Sequence, residues 1–198
     1  MDVHDYYCQP NSSLSLRLAE GDITVTVVQA FTPFTRAQVL VVRTHQTSPI
    51  ACLPSKSLVV LKIYDPRFFD HRKATKYRPA HLWSFQAESE AAKKPRASPT
   101  AFLEHSELPE DDDPVQWEEY YYKYFEKRFQ AETASYEALK SLQGTAIPKY
   151  FAAGRLTITE RLAPRAISPR VILIEYIPNA KNLNDVDAKL ITPPWSIR

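Results

Sequence analysis

The feature that most limits what this chain can become is residues 113–144, DPVQWEEYYYKYFEKRFQAETASYEALKSLQG, whose pattern predicts one long helix with both ends marked. Asp113 can accept from the first unpaired amides, Pro114 suits the first helical position, and Gln116 stands where a capping box has its second member. Gly144 follows the last periodic residue, as a left-handed C-terminal cap would. Phe125, Phe129, Tyr136 and Leu139 recur at spacings of three or four, or their sums, and mark a core-facing stripe. Glu132 lies three residues after Phe129 and four before Tyr136, on the same stripe. An unpaired carboxylate there is costly, so the rest of the chain has to supply a partner.

Composition narrows the setting. At 198 residues, 44% hydrophobic and 24% charged, the chain reads as a soluble globular protein of one domain, or of one domain with a large insertion. A net charge of +2 is too small to argue for nucleic acid or an anionic membrane. No apolar run approaches the roughly 20 residues a bilayer span needs. Residues 1–13 lack the basic start and apolar core of a secretory signal. Cys8 and Cys52 make no disulfide framework, so a reducing intracellular compartment, cytoplasmic or nuclear, is expected. The three glycines, Gly21, Gly144 and Gly154, are far apart, which excludes a Walker A loop, a dinucleotide fingerprint and a nucleophile elbow. His4, His45, His71, His81 and His105 show no metal-ligand spacing with the cysteines or carboxylates.

Residues 1–21 are polar and mixed and read as an N-terminal extension with at most one short strand or helix. Strands are predicted over 22–28 and 37–43, joined as an antiparallel hairpin by a turn at 31–35 that carries aromatic residues and no glycine. A third strand, 57–65, is nearly all apolar and implies burial on both faces. Leu58, Val60, Lys62 and Tyr64 point one way and Val59, Leu61 and Ile63 the other. Lys62 thus rises from an apolar row, either snorkelling to water or meeting a partner. Residues 66–113 read as an insertion. Its first part is basic, with Arg67, Arg72, Lys73, Lys76, Arg78, Lys93, Lys94 and Arg96 set among Phe68, Phe69, Tyr77 and Trp83. Its end, from Glu104 to Asp113, is acidic. Such a mixture can bind nucleic acid, but a solvated, flexible loop with offsetting charges is the simpler expectation, with a short helix over 84–94. After the long helix come a strand at 149–156 bent at Gly154, a loop at 157–168, a strand at 170–177, and a short helix near 183–190.

Three strands, a helix and two strands predict an α+β fold: a five-stranded antiparallel sheet with one long packed helix. The sheet offers a lysine and the helix a carboxylate, each of which would relieve the other. Glu126 and Glu137 on the same helix are competing partners.

The strand VVLKIYD, the helix segment FQAETASYEALKSLQG and the segment VILIEYIP together resemble the N-lobe of the protein-kinase fold, and are similar to fungal protein-kinase-like proteins. The resemblance covers about residues 23–187, interrupted by the insertion. It implies a kinase-like unit at 22–187 that ends just past the hinge, followed by a tail at 188–198 without a second lobe. By the resemblance, Lys62 contacts the α- and β-phosphates of ATP and Glu132 orients it. Ile174 is then the gatekeeper, and Glu175 and Ile177 offer main-chain groups to adenine. ATP, with Mg²⁺, is the implied cofactor.

The sequence departs from that pattern at two places. The turn where a glycine-rich loop belongs reads AFTPFT, so close main-chain approach to phosphates is not provided for. No His-Arg-Asp or Asp-Phe-Gly occurs, and Asp185 and Asp187 stand too near the hinge for those roles. The expected function is therefore an ATP-binding N-lobe that does not transfer phosphate alone. The alternative is a pseudokinase-like interaction module whose exposed face binds a protein partner or a second copy. A membrane is not an expected partner, and nucleic acid ranks below both readings.

Overall fold

Period-two alternation of apolar and polar residues sets the first strands, and runs of apolar and β-branched residues set most of the others. In a computed structural model, which describes residues 7–45, 53, 56–94, 108–109, 113–158 and 165–180, six strands form. They are β1 (Ser13–Leu18), β2 (Gly21–Phe31), β3 (Gln38–Thr44), β4 (Leu58–Tyr64), β5 (Tyr150–Leu156) and β6 (Arg170–Glu175). Two α-helices lie between β4 and β5: α1 (Phe85–Lys93) and α2 (Pro114–Ala138). The helix expected near 183–190, Asp185, Asp187, Cys52, His4, His105, Arg96 and the acidic residues Glu104, Glu107, Glu110, Asp111 and Asp112 lie outside the described residues.

The strands close into an antiparallel barrel in the order β1-β2-β3-β4-β6-β5, and this overturns the open five-stranded sheet expected from the sequence. The additional strand, β1, comes from the supposed N-terminal extension. Its sequence SLSLRL alternates strictly, and Leu14, Leu16 and Leu18 are buried inside. It pairs with β2 from Ser13↔Thr26 to Leu18↔Gly21, and with β5 through Leu16↔Leu156, Arg17↔Arg155 and Leu18↔Gly154. One short strand thereby covers both edges of what would otherwise be an open sheet. Nothing local announces the second pairing, because its partner lies across most of the sequence.

Gly154 makes that seam possible. A Cβ there would sit 2.1 Å from the Arg17 carbonyl oxygen and 2.7 Å from Leu18 Cδ2. The strand backbones therefore approach more closely than any side chain permits. Gly154→Val should destabilise the protein by about 3 kcal/mol, the upper end of overpacking costs. Urea unfolding measures this, and an unchanged midpoint would mean that β1 and β5 do not close the barrel.

Inside the barrel, Val25, Val27, Leu40, Val42, Leu61, Ile63, Leu156, Val171 and Leu173 form the main core. A second core lies outside it, where Phe125 and Phe129 of α2 cover Tyr64, Ile172 and Ile174. β4 is therefore not buried on both faces as its composition suggested. Val59, Leu61 and Ile63 face inward, but of the outward row only Tyr64 is buried, and Val60 and Lys62 are half-buried.

α2 begins at the cap its sequence predicts, with Gln116 bonded to the Asp113 carboxylate and not, as in a capping box, to its backbone amide. Asp113 Oδ1 accepts from the amides of Val115 and Gln116, both at 2.9 Å, and the Gln116 side chain returns to Asp113 Oδ2 at 2.7 Å. Its end differs. The helix stops at Ala138, a short 3-10 turn follows at Lys140–Leu142, and Gly144 takes its positive φ in the next turn, where its amide donates to the Ile147 carbonyl. The apolar stripe also starts earlier than expected, with Trp117 and Tyr121 a turn or two before Phe125, while Leu139 is exposed.

The insertion is not a solvated, flexible loop over its described part. Two 3-10 turns, Pro66–Phe68 and Asp70–Arg72, lead to α1, which is capped by Ser84 and packs on α2. Phe69 stacks on Tyr124 at 4.9 Å and meets Tyr121 and Phe125 edge-on. His81 stacks on Trp117 at 3.9 Å.

Candidate functional site

The partner demanded by Glu132 is found across the β4–α2 contact. Lys62 lies on β4 between Val39 of β3 and Ile172 of β6, facing out of the barrel toward α2. Its ammonium donates to Glu132 Oε1 at 2.6 Å. The other carboxylate oxygen, Oε2, accepts from the Tyr64 hydroxyl at 2.5 Å. Both groups of the ion pair keep about a quarter of their side-chain surface exposed, 26% for Lys62 and 28% for Glu132. Solvent therefore screens the pair, and its own contribution to stability is on the order of 1 kcal/mol or less. Tyr64 is far better covered. Burial, then its bond to Glu132 and that residue's charge, raises its hydroxyl well above the usual phenol range.

The two competing helix carboxylates are engaged elsewhere. Glu126 accepts from Arg170 at the start of β6, with contacts of 2.6 and 3.0 Å, and the guanidinium lies over the Phe129 ring. Glu137 is exposed and pairs with Lys140 at 3.9 Å.

The predicted hinge residues sit at the end of β6. Ile174 is buried beneath α2, whereas Ile177 is half exposed beyond the strand. The Glu175 amide donates to the Lys149 carbonyl at 2.8 Å, while the Lys149 amide turns to the Glu175 carboxylate at 3.0 Å. The side chain of Glu175 thus takes a donor that a reciprocal strand pair would have given to its carbonyl. Lys62 and Glu132 are brought together; Ile174 shares their side of the barrel; Glu175 ends β6 and Ile177 lies two residues beyond it.

Sequence reasoning missed a second constellation, a buried charge network behind the site. Asp65, directly after β4, has no exposed surface. It accepts from Arg67 Nε and Nη2, from Arg165 Nη1 at 2.8 Å and from the Tyr7 hydroxyl at 2.9 Å. Burial opposes its ionisation, but the guanidinium groups of Arg165 and Arg67 overcome this and hold the carboxyl well below its ordinary value. Arg165 continues to Glu88 of α1, which also accepts from the amides of Ala166 and Ile167 and from Trp83 Nε1 at 2.6 Å. Arg72 forms a bidentate pair with Glu118 of α2, both contacts at 2.7 Å, beneath the Tyr121 ring. Three carboxylates and three guanidiniums balance, as burial requires. The only sequence signal was basic and aromatic residues interleaved in the insertion.

Those basic residues are largely spent within the protein. Arg67 and Arg72 serve the network, Arg78 donates to the carbonyls of His71 and Lys73, Lys73 pairs with Asp70, and Lys94 pairs with Glu119. A cleft of about 770 Å³ lies between the β2–β3 turn and the insertion, lined among others by Val28, Pro33, Phe34, Phe68 and Trp83. Lys62 and Glu132 are not in its wall, so the ion pair lies outside this cleft. Among the described residues no three histidine, cysteine or acidic side chains are grouped as a metal site, and no helix is long and apolar enough to cross a membrane.

Because Asp65 ionises more readily in the folded chain, its contribution to stability is complete above about pH 4, the unfolded value, and is lost as pH falls toward the folded value. Asp65→Asn should therefore flatten the loss of stability between about pH 5 and about pH 2. Equal acid slopes for the two proteins in urea titrations would contradict the ionised, paired state of Asp65.

Comparison of the chain with family models, with curated proteins and with solved structures gave no match.

Proposed function

We propose that this chain binds ATP as a protein-kinase-like nucleotide-binding unit, with Lys62 contacting the phosphates and Glu132 orienting Lys62. The observation that carries this reading is the 2.6 Å contact between a strand lysine and a helix carboxylate that remain partly open to solvent. An ammonium has three donors; Glu132 takes one, which leaves two for phosphate oxygens. β1 closes the barrel between β2 and β5, on the edges that do not carry Lys62. At the end of β6, main-chain groups of Glu175 and Ile177 would meet the base, beyond Ile174. Mg²⁺ would enter with the nucleotide. The proposed role of these residues is nucleotide binding, with phosphoryl transfer no part of the proposal. An intracellular setting, cytoplasmic or nuclear, is part of this proposal.

Calorimetry with MgATP tests this. Wild-type protein should bind, and Lys62→Met should bind at least about tenfold more weakly, the weight of one charge-assisted hydrogen bond. No heat and no thermal shift at millimolar MgATP would defeat the reading.

A second reading, an interaction module, is favoured by one observation. Leu139 and Leu142, after α2, and Ile177, after β6, are 42%, 42% and 48% exposed. Gln143 links this turn to β5 through Tyr150, and Lys149 links β5 to Glu175. A protein partner or a second copy would cover these side chains. Sedimentation tests the second copy: concentration-dependent dimerisation that Leu142→Glu abolishes supports it, and a strict monomer removes it.

A further inference from the structure

Resting on the nucleotide reading, we propose that Tyr64 is a positioning residue for the phosphate-binding lysine: its hydroxyl anchors one oxygen of Glu132 so that the other stays aimed at Lys62 when a nucleoside di- or triphosphate engages the ammonium. Tyr64 follows Lys62 by two residues on β4 and so shares its outward face. One carboxylate therefore bridges both side chains, with Oε1 on the ammonium at 2.6 Å and Oε2 on the phenol at 2.5 Å. The Tyr64 ring is fixed independently of that bond. It is only 4% exposed and packs edge-on against Phe129 at 5.7 Å, in the core shared with Ile172 and Ile174. Glu132, by contrast, is a flexible side chain with 28% of its surface open. Held by Lys62 alone, it would follow the ammonium or turn to water whenever phosphates drew the ammonium outward. Held by a rigid phenol as well, it keeps its place and leaves the lysine one fixed acceptor to pivot on.

The phenol is suited to this in a further way. Burial and the adjoining carboxylate raise its ionisation far above neutrality, so it remains a donor at neutral pH. A phenylalanine would fill the same space without the donor. The hydroxyl is therefore separable from the packing, and its role can be read from binding.

The experiment measures MgATP and adenosine affinity by calorimetry for wild type, Tyr64→Phe, Lys62→Met and the double variant, with folding checked by circular dichroism. Tyr64→Phe should weaken MgATP about tenfold, the loss of one hydrogen bond to a charged group, and leave adenosine within about twofold. In the Lys62→Met background it should have no further effect on MgATP, because its action runs through the lysine. A loss shared equally by adenosine, or one that persists without Lys62, would make Tyr64 a packing residue only. Unchanged MgATP affinity in Tyr64→Phe overturns the inference and leaves the nucleotide reading standing. Absence of MgATP binding to the wild type removes both.

Discussion

Glu88→Ala should unfold the protein more easily by about 3–5 kcal/mol, the range found when one member of a buried ion pair is removed. That is a large share of the roughly 5–15 kcal/mol that separates folded from unfolded domains. The size follows from how many groups depend on one carboxylate. Glu88 is 3% exposed and accepts from Arg165 Nε, from the amides of Ala166 and Ile167, and from Trp83 Nε1. Alanine takes this acceptor from the amides of Ala166 and Ile167 and leaves Arg165, among the described residues, with Asp65 as its counter-charge, although Asp65 already carries Arg67. Each orphaned buried donor adds its own desolvation cost. Glu88→Gln keeps an acceptor of the same shape and loses the charge, so it should fall between wild type and alanine. Urea or guanidinium titration gives the order. A Glu88→Ala loss under about 1 kcal/mol would place this network among surface pairs that contribute little.

The network also explains what could and could not be seen from the sequence. Helix α2 and strands β2 to β6 are written in local terms: a capped start, a four-residue apolar recurrence and runs of β-branched residues. The Lys62–Glu132 contact was legible for a related reason. Each residue breaks the apolar pattern of its own element, and two misfits on elements that must pack together point to one another. Strand β1 was legible only in part. Its leucines alternate, but closure of the barrel rests on Leu18 meeting Gly154, a pairing with no local signature. The insertion was misread for the opposite reason. Arg67, Arg72, Glu88 and Arg165 look like surface residues by type, and only their convergence with Asp65 and Glu118 turns them into a core. Balanced charge across a segment is compatible with a solvated loop and with a buried network, and composition does not distinguish the two. The α2 terminus shows a smaller version of the same limit. Gly144 does adopt a positive φ, but in a turn after the 3-10 segment and not as the helix cap.

Arg72→Met should cost about as much as Glu88→Ala when made alone, and much less when combined with Glu118→Leu. Arg72 is 5% exposed and Glu118 6%, and their bidentate contact joins the insertion to the first half of α2. Methionine alone strands the Glu118 carboxylate in a site where burial already raises its proton affinity against the pull of Arg72. An isolated charge there costs about 3–5 kcal/mol. Removing both charges restores an apolar contact between the insertion and α2, next to Trp117 and Tyr121. The carbonyls of Pro66 and His81, which also accept from Arg72, account for the remaining deficit. A double variant no better than the sum of its parts would mean that the two residues act separately. The pair has a consequence for the candidate site as well. Glu118 and Glu132 stand on one helix, roughly 20 Å apart by its rise. The insertion fixes the helix near one end, and Lys62 with Tyr64 fixes it farther along. If α2 behaves as a rigid rod between these two holds, Arg72→Met should weaken the proposed MgATP binding along with stability, while the double variant should recover both. Recovery of stability without recovery of MgATP affinity would show that the charge pair sets the position of Glu132, and not only the strength with which the helix is held.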